Sequence, residues 1–269
     1  MGIEMFSINL SLGIKIYCII VAALTGAVFG SFLNCLAWRL THGESVLKGR
    51  SHCPNCGTTL GALDLIPVFS WLFLRGKCGY CKKKISVRYP LSEIILALLS
   101  VLLLLKFDVT FEFLKNLIFT YCLFTLSITD LDDYIIPNGL LIVPAVSWFI
   151  FIPFTQAGLQ DVLYHILSGF IFGCIILLIV LIFDRIMKKE SMGGGDIKLL
   201  ALSALYLGAV SALFMLFLAC VIGIVFALAT KYRKSNEARH FPFGPAIAMA
   251  AYIMLLYGEP LVNWYLSLL

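Results

Sequence analysis

Runs free of charged side chains dominate this sequence, and they are too long to be the apolar faces of a soluble fold. Ile16 to Trp38 is the first. Ile94 to Leu105 is shorter, extended by Tyr89–Ser92, with Glu93 near one end and Lys106 free to snorkel at the other. Asn116 to Thr129, Ile135 to Gln160 and Val162 to Phe183 follow. A bilayer core of about 30 Å needs about 20 helical residues, so each run predicts one crossing. Leu199 to Thr230 holds 32 uncharged residues. That is about 48 Å of helix, and it predicts two short segments divided at Gly208–Ser211. Phe241 to Tyr257 is the last run, which makes about eight transmembrane helices in an all-α polytopic membrane protein.

Composition agrees with the pattern. Of the 269 residues, 61% are hydrophobic and 13% charged, the latter about half the share of a soluble domain. A chain so composed cannot cover a globular surface with polar groups, and it is neither disordered, collagenous nor a coiled coil. With the N-terminus outside, the inner loops are 39–90, 130–134, 184–198 and 231–240, and they hold 17 of the 20 Lys and Arg; Lys15, Lys106 and Lys115 are the exceptions. Cytoplasmic loops carry such an excess. The same bias supports dividing 199–230, because Lys198 and the Lys231–Arg239 cluster then share a side. No cleavable leader is expected, since the first apolar run is long and no small-residue cleavage site with a polar mature region follows.

The sizeable polar segment, 40–90, carries Cys53-Pro-Asn-Cys56 and Cys78-Gly-Tyr-Cys81, 21 residues apart. Each pair reads as a zinc knuckle, with Gly57 and Gly79 permitting tight turns, and together Cys53, Cys56, Cys78 and Cys81 supply a closed structural site of four thiolates. A reducing cytoplasm argues against disulfides, and no βαβ pattern accompanies the pairs to favour redox chemistry. The metal would stabilise a loop too small to form its own core. His52 beside the first knuckle reads as solvated. Cys18, Cys35, Cys122, Cys174 and Cys220 sit singly in apolar runs and read as packing residues. Lys82, Lys83, Lys84 and Arg88 suit topology control and anionic lipid headgroups; nucleic-acid binding is not expected so close to the bilayer.

Acids bordering membrane segments are functional candidates by default. Asp130 ends the third segment in Ser127-Ile-Thr-Asp130, and Asp196 opens the sixth in Met192-Gly-Gly-Gly-Asp196. The derived topology puts both at the inner face at similar depth. Gly193, Gly194 and Gly195 are costly inside a helix, about 1 kcal/mol each relative to Ala. They make sense if backbone must approach closely beside the carboxylate, or as a loop hinge. Two neighbouring carboxylates tend to share a proton; the ionised one then activates water while the other donates to a carbonyl oxygen, the chemistry of aspartic proteases. Asp132, Asp133 and Asp184 compete for the role but look like headgroup-level charges, and spacing alone does not separate Asp130 from Asp132.

The order of these motifs resembles the type IV prepilin peptidases, bifunctional leader peptidases and N-methyltransferases of pilus, type II secretion and competence systems. The resemblance runs from Gly30-Ser-Phe-Leu-Asn34 to Pro242-Phe-Gly-Pro245, through Arg50-Ser-His-Cys-Pro-Asn-Cys56, Leu65-Ile-Pro-Val-Phe-Ser-Trp71 and Arg88-Tyr-Pro-Leu-Ser-Glu93. Gly193-Gly-Gly-Asp196 is similar to the family's GxGD motif. The family's other aspartate stands seven residues before a proline, which selects Asp130 ahead of Pro137. Asn138 follows Pro137 where many members have Asp.

The resemblance implies cleavage of a prepilin or pseudopilin leader after a glycine at the cytoplasmic face. It also implies S-adenosylmethionine-dependent methylation of the new N-terminal residue, commonly phenylalanine. No Rossmann-type fingerprint marks a methyl-donor site, whose residues are unknown at this point; Arg88 and Glu93 suit a structural ion pair better than a place in it. The expected organisation is a first transmembrane segment at 1–39, a cytoplasmic four-cysteine domain with the methyltransferase role at 40–90, and a transmembrane aspartyl peptidase at 91–269. A proton-coupled transporter using the two acids as a relay is the alternative, and a non-enzymatic pilus assembly factor a third reading.

Overall fold

The computed structural model describes residues 11–45, 51–53, 55–155, 157–189, 191–231 and 242–268. The expected inner loop at 231–240 lies outside these from residue 232, as do residues 46–50 of the polar insertion. Nine α-helices are assigned among the described residues: α1 (Leu12–Thr41), α2 (Phe69–Phe73), α3 (Arg88–Phe107), α4 (Phe111–Asp133), α5 (Asn138–Phe151), α6 (Leu159–Met187), α7 (Gly194–Leu207), α8 (Ala209–Lys231) and α9 (Gly244–Leu266). All but α2 correspond to the eight apolar runs. The described residues hold two isolated bridges and no named strand.

Six helices, α1, α3, α4, α6, α8 and α9, are long and apolar enough to cross a membrane. Of the other two, α5 is shorter than its charge-free run promised, and α7 is one of the two short segments expected of 199–230. α5 follows Pro137 and passes into a 3-10 turn at Ile152–Phe154, and α7 has 14 residues and ends at Gly208, whose φ is +79°. Backbone breakers set these ends, and hydropathy does not see them. The break between α7 and α8 falls at Gly208, within the predicted division.

The chain forms two compact units, residues 1–113 and 114–269. In the first, α1 and α3 are packed along their length. Gly26 and Gly30, one turn apart on α1, let the two backbones meet: a Cβ on Gly26 would lie 2.6 Å from the Leu96 carbonyl oxygen, and one on Gly30 2.6 Å from the Glu93 Cα. This is the small-residue seam of membrane helix pairs. Asn34, buried one turn further, donates to the Gly30 carbonyl at 2.9 Å and to the Ser92 hydroxyl, so its amide is satisfied inside the pair. The 42–87 insertion leaves and returns at this end of the pair.

In the second unit α7 is the central element, packed by α5, α6, α8 and α9. Leu199, Leu200, Ser203 and Ala204 on it are fully buried. Phe119 of α4 stacks on Tyr206 of α7 with ring centroids 4.0 Å apart, and the Tyr206 hydroxyl donates to the Pro144 carbonyl of α5 at 2.8 Å. These contacts fix α7 against α4 and α5.

Candidate active site

Asp130 occupies the last turn of α4, and only 6% of its surface is exposed. The helix ends at once beyond it, with Tyr134 at φ +55°. A buried carboxylate needs donors, and Asp130 has one from a distant place in the sequence: the Gly244 backbone N–H at the start of α9 reaches its Oδ2 at 2.8 Å. The approach leaves no room for a side chain, since a Cβ on Gly244 would stand 2.8 Å from that oxygen and 3.2 Å from Cγ. Pro245 at the helix start has no N–H to lose.

Asp196 lies in the first turn of α7, whose N-cap is Gly193. Its side chain turns back on the helix end and takes a hydrogen bond from the Gly193 backbone, half of a capping box. Its other oxygen, Oδ1, is buried and has no hydrogen-bond partner among the described residues. The carboxyl groups of Asp130 and Asp196 lie close enough to interact electrostatically. The structure thus brings together two acids 66 positions apart, and α4, α7 and α9 each contribute an end to the cluster.

The three glycines before Asp196 are not equivalent. A Cβ on Gly195 would stand 2.7 Å from the Ile136 Cβ, in the segment joining α4 to α5; one on Gly194 would meet nothing within 4 Å. Gly193 would bring its Cβ to 3.2 Å from the Asp196 Oδ2. Close approach is therefore the reason for Gly195, and Gly194 has no steric one. Lys198, on the same first turns of α7, donates to the Asn138 side chain at 2.9 Å, which ties α7 to the start of α5.

The competing acids are placed elsewhere. Asp132 and Asp133 are exposed. Asp184 accepts from the Ser191 N–H at 2.7 Å and the Ser191 hydroxyl at 2.6 Å, closing the loop between α6 and α7. Sequence reasoning missed the Gly244 amide; its one signal was the Pro-Phe-Gly-Pro run at 242–245.

The four cysteines of the insertion converge in the first unit. The sulfurs of Cys53, Cys56, Cys78 and Cys81 all lie within 4.8 Å of one another, with Cys53 and Cys81 at 3.9 Å. Zinc–sulfur bonds of about 2.3 Å in a tetrahedron put sulfurs about 3.8 Å apart, so the four fit that ion. Each knuckle is closed in the same way. The Cys53 and Cys78 amides donate to the Thr58 and Lys83 carbonyls, and a residue just after each pair, Gly57 at φ +70° and Lys82 at φ +60°, takes the left-handed conformation. Lys82 supplies the second turn, where Gly79 was expected to do so.

Hydrogen bonds to the Thr58 hydroxyl and backbone bring the Cys56 thiol down to about 6. The Lys83 backbone lowers Cys81, but burial and the neighbouring thiols outweigh it and push it up to about 11. Four sulfurs this close compete for negative charge, and a dication lets all ionise. His52 is exposed, as expected. Glu93 is buried and accepts a hydrogen bond from the Val68 N–H at 2.7 Å.

Residues 24–107 match the bacterial peptidase A24 N-terminal domain, and residues 117–228 match the type IV leader peptidase family. The chain is 34% identical over 235 residues to a prepilin leader peptidase/N-methyltransferase of Aeromonas salmonicida, a match covering 83% of this chain and 76% of the relative. A protein of the same description from Bacillus subtilis is 31% identical over 248 residues, covering 90% and 96%. One from Neisseria gonorrhoeae is 30% identical over 278 residues, covering 93% and 96%. No solved structure matches the chain.

Proposed function

The chain belongs to the type IV leader peptidase family, and from that premise we propose that it removes the leaders of prepilins or prepilin-like proteins at the inner face of the membrane and methylates the N-terminus so exposed. The observation that carries the peptidase reading is the meeting of Asp130 and Asp196 beside the Gly244 amide. Two carboxyls near enough to feel each other's charge favour one proton over none. The ionised one takes a proton from water as it attacks the peptide carbonyl, and the protonated one donates to the developing oxyanion. The Gly244 N–H fixes Asp130, and the Gly193 backbone fixes Asp196, whose Oδ1, without a hydrogen-bond partner among the described residues, is the oxygen to serve water or substrate. Gly193 caps α7 and Gly194 and Gly195 open its first turn, so the three glycines expected as an active-site loop carry Asp196 at the start of the helix instead.

The inner-face assignment, with the N-terminus outside and the cysteine domain cytoplasmic, rests on the 17 of 20 Lys and Arg in the loops so placed. The peptidase then resides in the unit 114–269. The methyl transfer, from S-adenosylmethionine, belongs with the unit that contains the cysteine insertion. The relatives are named for peptidase and methyl-transfer activity, which leaves the transporter reading without support.

Incubation of the purified chain with a prepilin, with and without S-adenosylmethionine, tests both activities by the masses of the products. Loss of the leader is expected in each case, and a further methyl group with the donor. An intact prepilin would overturn the peptidase reading.

Zinc, held by Cys53, Cys56, Cys78 and Cys81, supplies structure in this reading. Metal analysis of reduced, freshly purified protein should find about one zinc per chain. Cys78→Ala should lose it and loosen the insertion to proteolysis, with leader cleavage falling only partly because the two acids lie in the other unit. Full-length protein devoid of zinc would reject the site.

A further inference from the structure

The inner ends of α1 and α3 and the cysteine insertion enclose a cavity of about 480 Å³ within the first unit, inside the range of small-molecule sites. We infer that this cavity is the binding site of the methyl donor, an inference that rests on the methyltransferase reading above. The donor is a nucleoside carrying a sulfonium cation, and the walls suit each part. Trp38, Trp71 and Tyr89 line the cavity; aromatic faces accept adenine and attract cations. Glu93 and Asp64 add two carboxylates, acceptors for ribose hydroxyls and partners for positive charge.

Both acids are held ready. The Val68 N–H at 2.7 Å and the Ser31 hydroxyl fix Glu93, while the Gly61 N–H at 3.0 Å and the Tyr80 hydroxyl at 3.1 Å fix Asp64. A carboxylate buried on a membrane helix is a costly feature that a function repays. The Trp71 ring is positioned by its Nε1–H bond to the Ile85 carbonyl and by Gly76, where a Cβ would stand 2.8 Å from the ring.

Two ligands of the proposed zinc site, Cys53 and Cys78, also line the cavity. The knuckles therefore shape a wall of the donor site, which gives the metal a place in methylation without a chemical part in it. In the transfer itself the amine nitrogen forms a bond to the methyl carbon. The carbon–sulfur bond breaks with its electron pair left on sulfur, giving a neutral thioether, and the methylated amine releases a proton to solvent.

The test uses the full chain in detergent. Donor affinity is measured by calorimetry, methyl transfer on a mature pilin N-terminus, and leader cleavage in parallel. Glu93→Gln and Trp71→Ala should each weaken donor binding about tenfold or more while cleavage stays near the parent's, which also reports correct insertion. Ultraviolet cross-linking of labelled donor to the parent protein should mark peptides within 31–93. Label confined to 114–269, or donor affinity unchanged in both variants, overturns the cavity assignment and leaves the methyltransferase reading standing. A parent protein that neither binds the donor nor transfers its methyl group overturns that reading, and this inference with it.

Discussion

Asp130→Asn and Asp196→Asn will each reduce leader cleavage by about a thousandfold or more while the protein inserts and accumulates normally. General acid and general base catalysis contribute about 10²–10⁴-fold each, and a pair sharing one proton loses both roles when either member becomes an amide. Asn matches Asp in shape, so the Gly244 N–H can still find an oxygen in Asp130→Asn, and loss of activity there reads chemistry rather than folding. Asp132→Asn and Asp133→Asn, at exposed positions, should keep cleavage near the parent's. The same assay run with a synthetic mature N-terminus separates the activities. Methyl transfer requires an aligned, deprotonated amine and no shared-proton pair, so both dyad variants should still methylate it. Normal cleavage by Asp196→Asn would sink the aspartyl mechanism.

How far the sequence reached depended on what kind of signal each feature leaves. Charge-free runs located every major helix, because exclusion of charge from a bilayer acts on each residue independently. The same criterion overstated α5. Residues 135–160 are all uncharged, yet Pro137 delays the helix and the backbone tightens into a 3-10 turn at Ile152–Phe154. The cysteine cluster was legible because two short spacings define it. The Gly244 contact was not, since 114 residues separate the amide from Asp130 and nothing local in Phe243-Gly-Pro245 names an acid partner. The three glycines illustrate the same limit. As a string they are alike, and only the position of Ile136 distinguishes Gly195 from Gly194.

That distinction carries the other large effect. Gly195→Ala should lower cleavage by about a hundredfold, whereas Gly194→Ala should leave it within a few-fold. Carbon atoms rest about 3.5–4.0 Å apart, and the new methyl would begin 2.7 Å from the Ile136 Cβ. A β-branched side chain adjoining Pro137 has little freedom to retreat, so the start of α7 must shift by about 1 Å and take Asp196 with it. A displacement of that size costs about 10²-fold when geometry controls the chemistry.

At Gly194 the methyl enters open space, and Ala in the first turn of a helix is the better residue by up to about 1 kcal/mol. Gly244→Ala approaches the pair from the opposite side. Its methyl would lie 2.8 Å from the Asp130 Oδ2, so the carboxylate must move and surrender its backbone donor, with a loss comparable to Gly195→Ala. Trimming Ile136 to Ala does not remove the clashing Cβ, but it frees that segment to yield. The double variant Gly195→Ala/Ile136→Ala should therefore recover part of the lost activity, a coupling expected of residues in contact. Rescue is the decisive measurement: a hinge that merely needs flexibility would respond alike at Gly194 and Gly195, and Ile136→Ala would not repair it.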